Sequence, residues 1–219
     1  MNWIWTIGAP LVRLVMGWCF RVHIEGIEHV PAGGAVTLAP NHVSVLDGPV
    51  LAATTGAHRR RATRSLVTTD VFSGLRGWIL RQSRQIPIRR GAGDRGALDD
   101  AIEALRAGSC VGIFAEGRVN DTPDKGVQRI RSGLTRIALP AASLVVPIGI
   151  WGTQSVWPRS GLVRRALLRR PRLAVVYGEP LIPAPTESPS EFRARFLIAL
   201  EAQVRRARSR AGDPEGPSV

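Results

Sequence analysis

Ala35-Val36-Thr37-Leu38-Ala39-Pro40-Asn41-His42-Val43-Ser44-Val45-Leu46-Asp47-Gly48-Pro49 is the stretch from which the fold can be read. Its first five residues form a short apolar run bounded by Gly34 and Pro40, which predicts a buried strand ending at Pro40. Gly48-Pro49-Val50-Leu51-Ala52-Ala53 reads as the opening of a helix. His42 then falls on a strand-to-helix connection and Asp47 near the helix start. Such a loop can bring a carboxylate back to an imidazole, fix its tautomer and stabilise the imidazolium that forms when the ring takes a proton. Histidine is the side chain suited to that task near neutral pH. Taken alone the pair has a plainer explanation, in which Asp47 is an early-turn acid favoured by the helix dipole.

The rest of the chain sets the bounds. Its 219 residues suit one domain with a good core, and an apolar fraction of 44% is ordinary for a globular protein. The formal charge of +13 is not ordinary, and nearly all of it is arginine, Lys125 being the single lysine. That surplus suggests an anionic partner: a membrane surface, a phosphorylated substrate, an acidic carrier protein or nucleic acid. A solvated basic surface is the simpler alternative. Nucleic acid is disfavoured, because aromatics are only 5% with one tyrosine and the tryptophans lie in apolar segments rather than among the basic runs. Cys19 and Cys110 make neither a disulfide framework nor a zinc site, and His23, His29 and His58 lack ligand-like spacing, so no metal is expected. The first residues lack a basic n-region and a small-residue cleavage site, so no secretory signal is read.

Residues 3–20 are apolar almost all round, with Pro10 and Arg13 interrupting the middle. Trp3, Trp5 and Trp18 suit a membrane interface. The favoured reading is a helix lying in the interface plane, with packing on the protein's own core second and a spanning helix third. Strands are expected over residues 22–25, 65–68, 86–88, 110–114, 144–150 and 173–177, and helices over 74–83, 93–108 and 133–139. His58-Arg59-Arg60-Arg61 is a solvated loop or a lipid-headgroup contact. Ser188-Pro189-Ser190-Glu191 carries a capping box and opens a last helix. Strands alternating with helices imply an α/β layer fold with one mixed, mainly parallel sheet flanked by helices, plus the N-terminal apolar helix.

Three strand-end loops carry unusual polar residues: His42 with Asp47, Arg89 with Arg90, and Glu116-Gly117-Arg118. Open α/β sheets place their sites at such loops. In this order and spacing they resemble the blocks of the glycerolipid acyltransferase family, whose best-known members are the bacterial 1-acylglycerol-3-phosphate acyltransferases. Residues 41–47 resemble its N-H-x-x-x-x-D block, and Ile86-Pro87-Ile88-Arg89-Arg90 its second block, whose final arginine falls on Arg90. Phe114-Ala115-Glu116-Gly117-Arg118 resembles F-P-E-G-T-R, and Val145-Val146-Pro147-Ile148 the fourth block. In the third block Ala115 stands in place of proline, Arg118 of threonine and Val119 of arginine, so the positive charge has moved by one residue.

The resemblance implies an O-acyltransferase domain over residues 22–210; the apolar pattern puts a membrane-interface helix before it at 1–21, and a loose terminal tail is expected after it at 211–219. It implies His42 as base and Asp47 as its orienting partner. Arg90 and Arg118, with the Gly117 N–H, would hold a phosphate, and Arg131 is a further candidate. Glu116, a family acceptor-binding position, is more easily read as bracing the loop. The acyl donor would be acyl-CoA or acyl carrier protein, acting as substrate, and no cofactor is expected. The acceptor would be a lysophospholipid, first of all 1-acylglycerol-3-phosphate. The workplace would be an anionic membrane surface on the cytoplasmic face of the cell membrane. The altered third block keeps other acceptors open: a lyso-aminolipid, a glycolipid or another hydroxylated metabolite. A thioesterase and a non-catalytic membrane-binding module are the remaining alternatives. No G-x-S-x-G elbow appears, and Ser44 reads as a loop residue, so no acyl-enzyme is expected.

Overall fold

The strand β2 (Val36–Pro40) is buried at every residue, because it has a sheet neighbour on each side and helices on both faces. β5 (Cys110–Gly112) and β6 (Leu144–Trp151) flank it, both parallel to it. The computed structural model describes residues 4–89, 94–184 and 186–213. The remaining strands are β1 (Arg21–Glu25), β3 (Thr63–Thr68), β4 (Ile86–Ile88) and β7 (Arg172–Tyr177). They complete one 7-stranded sheet in the order β1-β7-β6-β2-β5-β3-β4. Only the β6–β7 pair is antiparallel, so β6, β2, β5, β3 and β4 all end at the same edge of the sheet. This is the mixed, mainly parallel α/β architecture that the sequence pattern predicts.

Two layers of helix cover the sheet. On one face lie α4 (Arg95–Arg106), α5 (Gly133–Ala138) and α7 (Pro189–Arg210), whose Leu98, Leu105, Ile137, Phe192 and Phe196 meet Ala39, Val145 and Val176. On the other face lie α1 (Ala9–Cys19) and α2 (Asp47–Arg59), whose Met16, Val50 and Leu51 meet Val36, Leu38, Val146 and Val175. Neighbouring strand residues go to opposite faces, as the period of two requires. α7 crosses β6 so closely that a Cβ on Gly149 would stand 2.2 Å from the Gln203 carbonyl oxygen. The expected capping box is formed: Ser188 Oγ accepts from the Glu191 N–H, and Glu191 Oε2 from the Ser188 N–H. Pro147 is tolerated inside β6 because it lies one residue beyond the last β6–β7 pair.

The N-terminal segment differs in part from its expectation. Ile4–Gly8 form a π-helical turn, and Pro10 falls in the first turn of α1, where its missing N–H costs nothing. Trp5 is not at an interface. It is buried with its Nε1 donating to the Ser83 carbonyl, and with Ala9 it packs against Gly56 of α2. Leu11, Leu14, Val15 and Trp18 remain exposed. α1 thus belongs to the layered body along one stripe and is bare along another. Trp3 lies outside the described residues, and among those described no helix is long and apolar enough to cross a membrane.

One further correction concerns charge. Arg61 is neither solvated nor free for lipid: it is buried, and its guanidinium donates to the carbonyls of Pro31, Gly34 and Gly108. Three convergent backbone acceptors supply the desolvated cation with partners. The start of the expected tail is held in place, with Ala211 packed on the core and the Asp213 carboxylate accepting from Trp151 Nε1. Residues 214–219 lie outside the described range.

Candidate active site

The loop after β2 turns back on itself because Asp47, the first residue of α2, collects its donors. Asp47 Oδ2 accepts from the backbone N–H of Val43 at 2.7 Å and of Ser44 at 2.8 Å, and lies 2.9 Å from His42 Nδ1. Its other oxygen, Oδ1, accepts from Thr153 Oγ1 at 2.6 Å. The Asp47 side chain is wholly buried, while 18% of the His42 side chain is exposed. A carboxylate facing four donors accepts from each, so the Nδ1 proton of His42 points at Asp47 and the lone pair of the neutral ring stands on Nε2. Phe114 stacks on the imidazole at 4.0 Å between centroids, 23° from coplanar, and limits ring rotation.

Glu116 joins the second strand-end loop to the first. Its Oε1 accepts from the His42 backbone N–H at 2.8 Å and its Oε2 from the Gln128 backbone N–H at 2.9 Å. Burial pushes its carboxyl above the usual range, opposed by those two hydrogen bonds. The Asn120 N–H donates to the His42 carbonyl at 2.6 Å, closing the same junction from the other side. Asn41 ties the loop to β6, its side-chain amide donating to the Ile150 carbonyl and accepting from the Ile150 N–H. Ser44 Oγ donates to the Trp157 carbonyl and accepts from the Leu46 N–H, which is the work of a loop residue.

The structure therefore brings His42, Asp47 and Glu116 together at the carboxyl edge of the parallel strands. Arg118 is exposed on the Glu116 loop with its Nε donating to Gln128 Oε1. Arg131 is exposed beside it, and a Cβ on Gly117 would lie 3.2 Å from Arg131 Cγ. The Gly117 N–H, expected to meet a phosphate, donates instead to the Phe114 carbonyl at 2.9 Å and closes the turn. Arg90 lies outside the described residues. Nothing in the sequence marks Thr153 or Asn120 for this site, and Phe114 enters it only as the first residue of the third block. Thr153 follows an apolar strand at the edge where sites gather, a signal that marks the region but not the residue.

Neither cysteine is placed as a nucleophile. Cys110 is buried at the start of β5, away from the carboxyl edge, and burial pushes its thiol up to about 11. Cys19 ends α1. Among the described residues no group of three or more His, Cys, Asp or Glu could hold a metal.

Residues 21–151 match the sequence model of the family described as Acyltransferase, and the chain belongs to that family. Its fold is shared with 1-acyl-sn-glycerophosphate (LPA) acyltransferase, PlsC, from Thermotoga maritima, at a TM-score of 0.78 and 21% identity over 94% of this chain and 80% of that one. N-acylphosphatidylethanolamine synthase of Arabidopsis thaliana is 29% identical over 71% of this chain and 58% of its own length. Uncharacterized protein ML2427 of Mycobacterium leprae is 27% identical over 81% of this chain and 47% of its own. The chain thus spans about half the length of the curated relatives it matches.

Proposed function

We propose that the protein transfers a fatty acyl group from an acyl thioester to the hydroxyl of a lysophospholipid, with 1-acylglycerol-3-phosphate as acceptor and phosphatidic acid as product. The observation that carries this reading is the His42 Nδ1–Asp47 Oδ2 contact of 2.9 Å, with the imidazole partly exposed at the sheet edge of a family acyltransferase. His42 Nε2 takes the proton of the acceptor hydroxyl. The oxygen attacks the thioester carbonyl, the carbon–sulfur bond breaks, and the imidazolium returns its proton to the departing thiolate. Asp47 stabilises the imidazolium in between. A thioester is already activated, so positioning and one base suffice. The donor is acyl-CoA or acyl carrier protein. Arg118 and Arg131, with Arg90, are assigned to the acceptor phosphate. The bare stripe of α1 rests in the membrane interface, on the cytoplasmic face.

A second reading keeps the acyl donor and the base and changes the acceptor to an aminolipid. It is favoured by the Arabidopsis relative, whose name puts an acyl group on the nitrogen of phosphatidylethanolamine, and by the displaced arginine of the third block.

The test is purified protein with a long-chain acyl-CoA and lysophosphatidic acid in detergent micelles, following free thiol and lipid product together. Phosphatidic acid formed by the wild type and lost in His42→Ala is expected. Thiol release without new lipid would overturn this acceptor, and a panel of lysolipids and aminolipids then separates the two readings.

A further inference from the structure

We propose that the segment between β6 and β7, residues 157–171, is a second membrane contact, which selects anionic lipid headgroups and lies between the catalytic loop and α1. It rests on the reading of α1 as an interfacial element and adds to it a site with different chemistry.

The segment combines two features that a solvated loop does not need together. Arg164, Arg165, Arg169 and Arg170 are exposed, and α6 (Arg164–Leu168) carries part of this run. Interleaved with them, Leu162, Val163 and Leu168 are exposed as well, Leu168 at 86%. Ala166 and Leu167 point the other way, onto the same core as α1 and α2, so the segment is folded and its bare side chains are held outward.

Its two ends fix its place. At one end the Trp157 carbonyl accepts from Ser44 Oγ and from the Val45 N–H, directly on the loop that holds His42. At the other end Arg170 Nη2 donates to the Gly17 carbonyl in the last turn of α1, at 2.7 Å, one residue before Trp18, which is 81% exposed. The segment therefore runs from the catalytic loop to the last turn of α1, with exposed aliphatics and arginines along it. An acidic protein would meet the arginines alone, whereas an anionic bilayer meets both the charge and the exposed aliphatics, because arginine pairs with the headgroup phosphate and the aliphatics enter the acyl boundary. A single apolar element gives reversible attachment, and a basic patch beside it supplies the second signal that firm attachment requires.

The test is co-sedimentation of the full chain with vesicles of phosphatidylcholine alone and of phosphatidylcholine mixed with phosphatidylglycerol, circular dichroism confirming that each variant is folded. Arg164→Gln with Arg165→Gln is expected to weaken binding to the mixed vesicles by roughly thirtyfold and to leave the neutral vesicles unchanged. Leu168→Gln is expected to weaken both. Arg136→Glu, on α5 across the sheet, is expected to change neither. Trp18→Gln reports on α1 separately. If Trp18→Gln loses binding while the double variant binds mixed vesicles as the wild type does, the second contact is refuted and the α1 reading stands. If Arg136→Glu weakens binding as much as the double variant, the effect is net charge and the proposal falls. It falls too if the double variant loses affinity for an acyl carrier protein and not for vesicles.

Discussion

Thr153 Oγ1 donates to Asp47 Oδ1 at 2.6 Å across a sequence separation of 106 residues, so the carboxylate that orients His42 is itself held from the end of β6. Both groups are fully buried, which leaves water no access to replace the bond. Thr153→Val keeps the shape and removes the donor. The expected cost is roughly 1–3 kcal/mol of stability, from a buried carboxylate oxygen left without its partner. On the proposed mechanism turnover is expected to fall with KM held, because the hydroxyl acts on His42 only through Asp47 and touches none of the residues assigned to the acceptor. Thr153→Ser restores both quantities. A Ser variant as impaired as Val would show that the methyl group, not the hydroxyl, matters here.

Arg118 offers a test of the acceptor. It is exposed and spends one N–H on Gln128, so most of its guanidinium is available to a ligand. Arg118→Gln is expected to raise KM for a phosphorylated acceptor roughly tenfold and to leave kcat nearly unchanged, since a charged hydrogen bond is lost from binding and not from proton transfer. With an acceptor that lacks a phosphate monoester the same variant should show no change. Equal effects on both acceptors would remove Arg118 from phosphate recognition.

Gly149 ties the site to the fold. It lies between Ile148 and Ile150, and Ile150 anchors the Asn41 side chain. A Cβ there would meet the Gln203 carbonyl oxygen at 2.2 Å and the Val204 nitrogen at 2.7 Å, both in the backbone of α7. No rotamer change relieves a backbone clash, so Gly149→Ala must shift the helix. The expected loss is roughly 1–3 kcal/mol, read as a lower unfolding midpoint. An unchanged midpoint would mean that α7 slides freely over β6.

What the sequence made legible is what short-range pattern encodes. β2, β6 and α4 follow from uninterrupted apolar runs or a clear helical face, and the His42–Asp47 pair from spacing within one loop. Glu116 could be joined to them through the resemblance of its block. Thr153 could not, since its partner is far along the chain and no local pattern marks a single threonine. Trp5 was misplaced for a different reason: a segment apolar all round does not say which stripe faces the core. Arg61 was hidden in a basic run, because the three carbonyls that surround it come from separate turns.

Glu25 gives the fold one acid-sensitive contact. At the end of β1 it meets Arg206 and Arg210 of α7, with His23 Nε2 at 3.4 Å. The hydrogen bond from Arg210 foremost, against a smaller burial effect, pulls its carboxyl from 4.5 down to about 2. The folded state therefore holds this proton less readily than the unfolded chain. The stabilisation is fully present above the unfolded value of 4.5 and is lost as the pH falls from there to about 2. Solvent screens the cluster, so its worth is about 1 kcal/mol or less. Glu25→Gln should be less stable than wild type by that amount at neutral pH, and high salt should narrow the gap. As the pH falls below 4.5 the two unfolding midpoints should converge, the wild type descending more steeply. Parallel curves through that window would show that the arginines of α7 do not hold Glu25 ionised in the folded state.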